Sequence, residues 1–220
     1  MFADERMVTF LNSMEKSNTK ILEQVEAEAK EAKVPIIKKE VQSFLKTLLT
    51  LKKPMRVLEI GTAVGFSALL MSESAPEGCQ IVTIENYEKR IPIAKRNFKR
   101  AGKAELITLI EGDAAEVLKT LEGSFDFIFM DAAKAQYIYY LPEAVRLLAD
   151  GGVLLTDNVL QEGWILESRF MVERRDRTIH RRMRGFLYEI KHHQLLETTI
   201  IPLGDGITVS VKKEESKDEA

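Results

Sequence analysis

Two aspartates and an asparagine carry the clearest chemical signal in this sequence. Asp131, Asp157 and Asn158 offer hard oxygen donors with no imidazole or thiolate beside them, a set that suits Mg2+, Mn2+ or Ca2+ rather than zinc. Three protein ligands leave coordination positions open for water and substrate. Two carboxylates held close together repel unless a cation or a shared proton lies between them. Asp157 as a helix cap, with Asn158 in a turn, is the plainer alternative. Lys134 closes the run Asp131-Ala132-Ala133-Lys134. An ammonium is electrostatically disfavoured near a divalent cation, so a neutral amine becomes accessible there as a general base. A solvated surface lysine is the ordinary alternative.

A second set of residues suits an organic cofactor. Glu85 is placed to accept hydrogen bonds from both hydroxyls of a ribose, with a helix-capping role as the alternative. Gly61 lets backbone approach a ligand closely, and Asp113-Ala114 could meet an adenine edge. The G-x-G-x-x-G dinucleotide spacing is absent, since only Gly61 and Gly65 remain in that loop. The pattern fits an adenosine cofactor without a diphosphate.

Seven arginines, Arg169, Arg174, Arg175, Arg177, Arg181, Arg182 and Arg184, crowd one segment, offset there only by Glu173 and Asp176. Clusters of this density suit phosphate backbones, which take several fixed guanidinium forks. A solvated helix face paired with another subunit's carboxylates is the alternative, and the phosphates of coenzyme A are another target. His180, His192 and His193 read as surface residues. Net charge is −2, so no global basic field announces a nucleic acid or a membrane. Cys79 is the only cysteine, which excludes an intrachain disulfide and a cysteine-based zinc site. Met1 to Met7 carries Asp4, Glu5 and Arg6 and no apolar run, against a secretory signal. No stretch approaches the about 20 apolar residues that span a bilayer. The expectation is a cytoplasmic protein with no membrane association.

The elements that must position these residues follow an alternating rhythm. Helix-prone segments over 4–32 and 38–51, separated at Val34-Pro35, form a helical prelude through residue 53. Apolar strands are predicted over 56–60, 80–84, 106–110, 125–130 and 152–156, with helices over 66–74, 88–101, 114–121 and 136–148 between them. Short apolar strands alternating with helices predict a parallel sheet covered on both faces. A long helix over 167–193 precedes strands over 195–201 and 206–211, joined by Pro202-Leu203-Gly204-Asp205 as an antiparallel hairpin. Residues 213–220 read as a flexible tail, and the whole of 1–220 as one domain. In such a sheet, ligands bind at the carboxyl ends of the strands. That is where Glu59, Glu85, Asp113, Asp131 and Asp157-Asn158 fall.

Glu59-Ile60-Gly61-Thr62-Ala63-Val64-Gly65-Phe66-Ser67, Val82-Thr83-Ile84-Glu85, Asp131-Ala132-Ala133-Lys134, Thr156-Asp157-Asn158-Val159 and Leu203-Gly204-Asp205-Gly206 together resemble the catechol/caffeoyl-CoA-type O-methyltransferases. The resemblance runs from about Val34 to Lys212 and, within the family, is greatest to the short bacterial members that methylate 5-hydroxyuridine in tRNA. It implies a Rossmann-like class I methyltransferase fold, with a seven-stranded, mostly parallel sheet, a C-terminal antiparallel strand pair and N-terminal helices. It also implies a homodimer. S-adenosylmethionine would be met at Ile36 or Ile37, Glu59, Gly61, Ser67, Glu85, Asp113, Ala114 and Asp131. Mg2+ or Mn2+ would be held by Asp131, Asp157 and Asn158, with Lys134 as the base. One departure is Ala63, where catechol-type members often carry a tyrosine.

A metal that binds a hydroxyl and a vicinal oxygen acidifies the hydroxyl and fixes its geometry. Catechols offer such a pair, and so does 5-hydroxyuracil through its 4-oxo group. The arginine segment favours the RNA acceptor, with Arg174, Arg175, Arg181 and Arg182 as its phosphate contacts and tRNA as the partner. A small-molecule catechol or caffeoyl-CoA-like methyltransferase is the alternative within the same chemistry. A non-catalytic RNA-binding module that retains the cofactor site is the alternative from another class. The Asp131/Lys134/Asp157/Asn158 set argues against the last, because binding alone requires no metal and base.

Overall fold

Alternate residues of the central strands feed two separate cores, one on each face of a single sheet. In the computed structural model of the chain, residues 5–214 are described, the side chain of Glu162 excepted. The elements in order are α1 (Glu5–Ser13), α2 (Lys20–Glu31), α3 (Lys39–Lys52), β1 (Arg56–Ile60), α4 (Phe66–Ser74), β2 (Gln80–Glu85), α5 (Ile91–Arg100) and β3 (Ile107–Glu111). They continue with α6 (Ala114–Thr120), β4 (Phe125–Met130), α7 (Tyr137–Leu147), β5 (Leu148–Thr156), α8 (Arg177–His192), β6 (Leu196–Ile201) and β7 (Ile207–Lys212). Short 3-10 turns at Lys134–Gln136 and Gln161–Leu166 flank the last crossovers.

The sheet order is β3-β2-β1-β4-β5-β7-β6. Strands β1 to β5 are parallel, and β7 runs antiparallel to both β5 and β6. Val57, Phe127 and Phe129 point to the side covered by Leu22 and Val25 of α2, Leu45 and Leu49 of α3, Leu69 of α4 and Phe98 of α5. Leu58, Ile60, Ile128 and Met130 point to the side covered by α6, α7 and α8, where Leu118, Tyr137, Leu141, Met183 and Phe186 pack. This is the seven-stranded, mostly parallel Rossmann-like sheet with a C-terminal antiparallel pair and N-terminal helices that the sequence predicts. Chain order reverses between β1 and β4, which opens a crevice at their carboxyl ends.

Four expectations are corrected. The segment expected as one helix over 4–32 is two helices, parted around Ser17-Asn18-Thr19. There the Asn18 amide donates to Gln42 Oε1 (3.1 Å) and the Thr19 hydroxyl to Glu73 Oε1 (2.9 Å). Side chains of this kind offer backbone and neighbours bonds that compete with the helix. The long helix over 167–193 begins only at Arg177, because the preceding stretch is drawn into turns anchored by the buried side chains of Ile165 and Val172. His180 is also buried, and its Nε2 lies 3.1 Å from the Glu167 carbonyl oxygen, so it is no surface residue. Strand β5 starts earlier than expected, at Leu148, which pairs with Phe125. Among the described residues no helix is long and apolar enough to cross a membrane. Residues 215–220 of the expected tail, and Asp4 at the head of the first helix, lie outside the described residues.

Candidate functional site

The crevice at the β1/β4 switch is a cleft of about 700 Å3. Its floor depends on Gly61, whose φ is +105° and whose missing Cβ would stand 2.2 Å from the Asp131 carbonyl oxygen. Any side chain there would force β4 away, so glycine is what lets the β1 loop lie against the end of β4. The N–H groups of Gly61 and Thr62 both donate to the Ile84 carbonyl. Ala63 sits at φ +47° and donates its N–H to Glu85 Oε2 at 2.7 Å. Glu85 Oε1 accepts from the N–H groups of Asn86 and Tyr87 at 3.0 and 2.9 Å. Glu85 therefore caps no helix, since α5 begins at Ile91. A carboxylate has about four acceptor sites, so three backbone donors leave capacity for one more, at the cleft wall.

Of the other expected cofactor residues, Ile36, Ile37, Ser67, Ala114 and Asp131 line this cleft. Glu59 lies behind it, fully buried, and accepts from the hydroxyls of Ser67 and Thr83. Burial pushes its carboxyl up to about 8. Glu59 thus bears on the cleft through Ser67. Asp113 caps α6 instead, accepting the Ala115 N–H at 2.8 Å, and only its neighbour Ala114 reaches the lining.

Parallel pairing of Met130 with Thr156 brings Asp131 and Asp157 to adjacent strand ends. Asp131 Oδ1 accepts from Asn158 Nδ2 at 2.8 Å, and Asp157 Oδ1 accepts the Asn158 N–H at 2.7 Å. Asn158 holds φ +61°, a left-handed conformation that asparagine tolerates better than most residues. The Tyr137 hydroxyl donates to the Asp157 carbonyl at 3.0 Å and fixes the loop from below. Burial, then the facing charge of Asp131, push the Asp157 carboxyl up to about 7. Burial raises Asp131 as well, against the Asn158 bond and the Lys134 charge. Two adjoining carboxylates, one buried and one half-buried, that resist ionising together are what a hard cation would relieve, and the donor set fits Mg2+ or Mn2+. Among the described residues no group of three or more His, Cys, Asp or Glu side chains is arranged to hold an ion, and a cation between Asp131 and Asp157 would take Asn158 as its third donor. Its amide now turns nitrogen toward Asp131 and would have to rotate to present oxygen.

The residue that sequence reasoning missed is Asp205. Its carboxylate, almost wholly buried, stands 3.2 Å from Lys134 Nζ. The Leu160 N–H donates to the Asp205 carbonyl and the Val159 N–H to that of Gly206, each at 2.9 Å, which ties the β6–β7 loop to the loop carrying Asn158. The signal was Leu203-Gly204-Asp205-Gly206, which the turn reading absorbed without giving its aspartate a task.

The arginines divide into two groups. Arg177 and Arg184 donate to the carbonyls of Val172 and Ile165 at 3.1 and 2.9 Å. Arg182 donates to the Ala135 carbonyl at 3.3 Å and stacks over Tyr139. Arg175 pairs with Glu173 at 3.0 Å and Asp176 at 3.5 Å. Arg169, Arg174 and Arg181 are exposed, with no ion pair or hydrogen bond among the described side chains. Of the four expected phosphate contacts, Arg182 serves packing and Arg175 a local ion pair, while Arg174 and Arg181 face solvent.

Known proteins resemble this chain in sequence and in fold. An O-methyltransferase family profile matches residues 12–213. Catechol O-methyltransferase of Mycobacterium tuberculosis is 39% identical over 124 residues, covering 56% of this chain and 56% of that enzyme. Caffeoyl-CoA O-methyltransferase 1 of Eucalyptus globulus is 32% identical over 179 residues, covering 76% of this chain and 70% of that enzyme. The chain spans rather more than half the length of the two catechol O-methyltransferases and the rice tricin synthase that it matches. The SAH-bound methyltransferase PaMTH1 of Podospora anserina superposes with a TM-score of 0.85 at 27% identity, over 96% of this chain and 95% of that one. The O-methyltransferase of Bacillus cereus in complex with SAH gives 0.84 at 25% identity, over 94% and 97%. The chain belongs to the O-methyltransferase family.

Proposed function

We propose that this protein transfers a methyl group to one of two adjacent oxygens on its acceptor, using S-adenosylmethionine and Mg2+ or Mn2+. The observation that carries the reading is the pair of adjoining carboxylates, the buried Asp157 and the half-buried Asp131, set in the same cleft as Glu85 and Lys134. The cofactor supplies an electrophilic sulfonium methyl and the cation acidifies the acceptor hydroxyl. Glu85 offers its remaining acceptor site to a ribose hydroxyl, and Gly61 lets the β1 loop lie against the end of β4 and form the cleft floor. Ile36 and Ile37 close the cleft on its apolar side. Asp131, Asp157 and Asn158 would hold the cation. Lys134, in the lining of the same cleft, is the group that takes the acceptor's proton, and Asp205 holds its Nζ in place.

A catechol-type small molecule is the acceptor that the relatives support best. The SAH-bound neighbours support the cofactor. A second reading, 5-hydroxyuridine in tRNA, draws on one observation: the exposed arginines Arg169, Arg174 and Arg181. The homodimer remains part of the proposal, and sedimentation showing only monomer would contradict it. The test is labelled methyl transfer to catechol, to resorcinol and to hydroxylated tRNA. Transfer to catechol and not to resorcinol, whose oxygens are not adjacent, is the expected result. Equal transfer to both contradicts the paired-oxygen reading. Transfer to tRNA alone moves the acceptor to the second reading.

A further inference from the structure

Beside the main cleft lies a second cavity of about 210 Å3, lined by Lys134, Gln161, Trp164, Asp176, Ile179 and Asp205. Lys134 and Asp205 line both cavities, so the two meet at that ion pair. The space equals about seven water molecules at liquid density, enough for one flat ring with its substituents. An indole and the aliphatic side chain of Ile179 give it apolar surface, and aromatic faces suit planar ligands. Gln161 enters it from a backbone at φ +50°, the kind of left-handed conformation that concentrates at ligand sites.

Asp176 is the unusual member. It occupies the N-cap position of α8, where an aspartate ordinarily accepts an N–H of the first turn, yet its side chain makes no capping bond. Its carboxylate is only 26% exposed, and its ion pair is a 3.5 Å contact with the largely exposed Arg175. A mostly covered carboxylate so loosely partnered is a strong acceptor awaiting a donor. With Asp205 it places two carboxylates in the lining beside one ammonium, Lys134.

We propose that this cavity holds the acceptor's ring against Trp164 and Ile179, and that Asp176 selects acceptors bearing a cationic or hydrogen-bond-donating group remote from the reacting oxygens. The proposal rests on the reading of Lys134 as facing the acceptor oxygen. It predicts a preference for single ortho-dioxygenated rings with an amine or ring N–H over the same ring bearing a carboxylate.

Trp164 is the only tryptophan in the chain, so intrinsic emission reports on this cavity directly. The probes are dopamine and 3,4-dihydroxybenzoate, titrated into the full chain with S-adenosylhomocysteine and Mg2+ while emission is followed, with methyl transfer measured in parallel. Dopamine should perturb Trp164 at a concentration about tenfold below that of dihydroxybenzoate, the scale of one hydrogen bond to a charged group. Asp176→Asn should bring that ratio close to one, and Asp176→Glu should retain it. An unchanged ratio in Asp176→Asn overturns the role of Asp176. Methyl transfer with no response from Trp164 overturns the cavity assignment and leaves the proposed activity standing. The expected emission response without transfer does the reverse. Neither response nor transfer, with either probe, overturns both.

Discussion

Glu59 carries a carboxyl whose charged form is disfavoured by burial. Burial holds its carboxyl at about 8, against an ordinary value of 4.5. Between those values the folded chain keeps a proton that the unfolded chain releases, so this group's contribution to stability is present at low pH and is lost as pH rises through that window. Glu59→Gln removes the titration. Thermal melts from about pH 5 to 9 should show the parent's midpoint falling more steeply than the variant's, and parallel profiles would contradict the burial argument. Lys134 makes a different prediction. Lys134→Ala should lower kcat by about a hundredfold or more, the range for losing a general base, while calorimetry shows S-adenosylhomocysteine affinity unchanged. A matching loss of affinity would make Lys134 a cofactor residue instead. Asp131, Lys134, Asp157 and Asn158 were legible in the sequence because hard donors and a nearby amine stand out at strand ends. Asp205 was not, since its contact with Lys134 joins two segments 71 residues apart and no local spacing encodes it.

At the level of elements, the arginine segment shows where sequence patterning stops. Seven arginines over a helix-prone stretch read as one basic helix face, but only the part from Arg177 is helical. The turns before it exist because Ile165 and Val172 are buried, and they are tied to α8, whose Arg184 and Arg177 donate to their carbonyls, rather than to neighbours in sequence. Arg182 and Arg184 therefore belong to packing, and Arg169, Arg174 and Arg181 to solvent. Arg184→Ala should cost about 1 kcal/mol of stability, the usual net value of one such bond, read as a lowered unfolding midpoint. The triple replacement of Arg169, Arg174 and Arg181 by alanine should leave the midpoint alone. If RNA is the acceptor, that triple variant should flatten the salt dependence of RNA binding by about one unit per lost phosphate contact. An unchanged slope would remove the observation on which the RNA reading rests.

For the molecule as a whole, the strand rhythm was legible because each buried strand is a short apolar run between helices, and because side chains of alternate parity fill separate cores. The boundaries that were missed, at Thr19, Leu148 and Arg177, are set by contacts across the fold: a glutamate on α4, a pairing with β4 and a buried loop. The same architecture brings β1, β4 and β5 together so that Gly61, Asp131 and Asp157 meet in one cleft. The proposed activity requires a divalent cation there. The most direct measurement is the initial rate of labelled methyl transfer to catechol as EDTA removes the metal and Mg2+ restores it, for the parent and for the Asp157→Ala/Asn158→Ala double variant. The parent should lose its activity in EDTA and recover it with Mg2+, and the double variant should stay inactive throughout. Full turnover by either protein in EDTA would contradict the account.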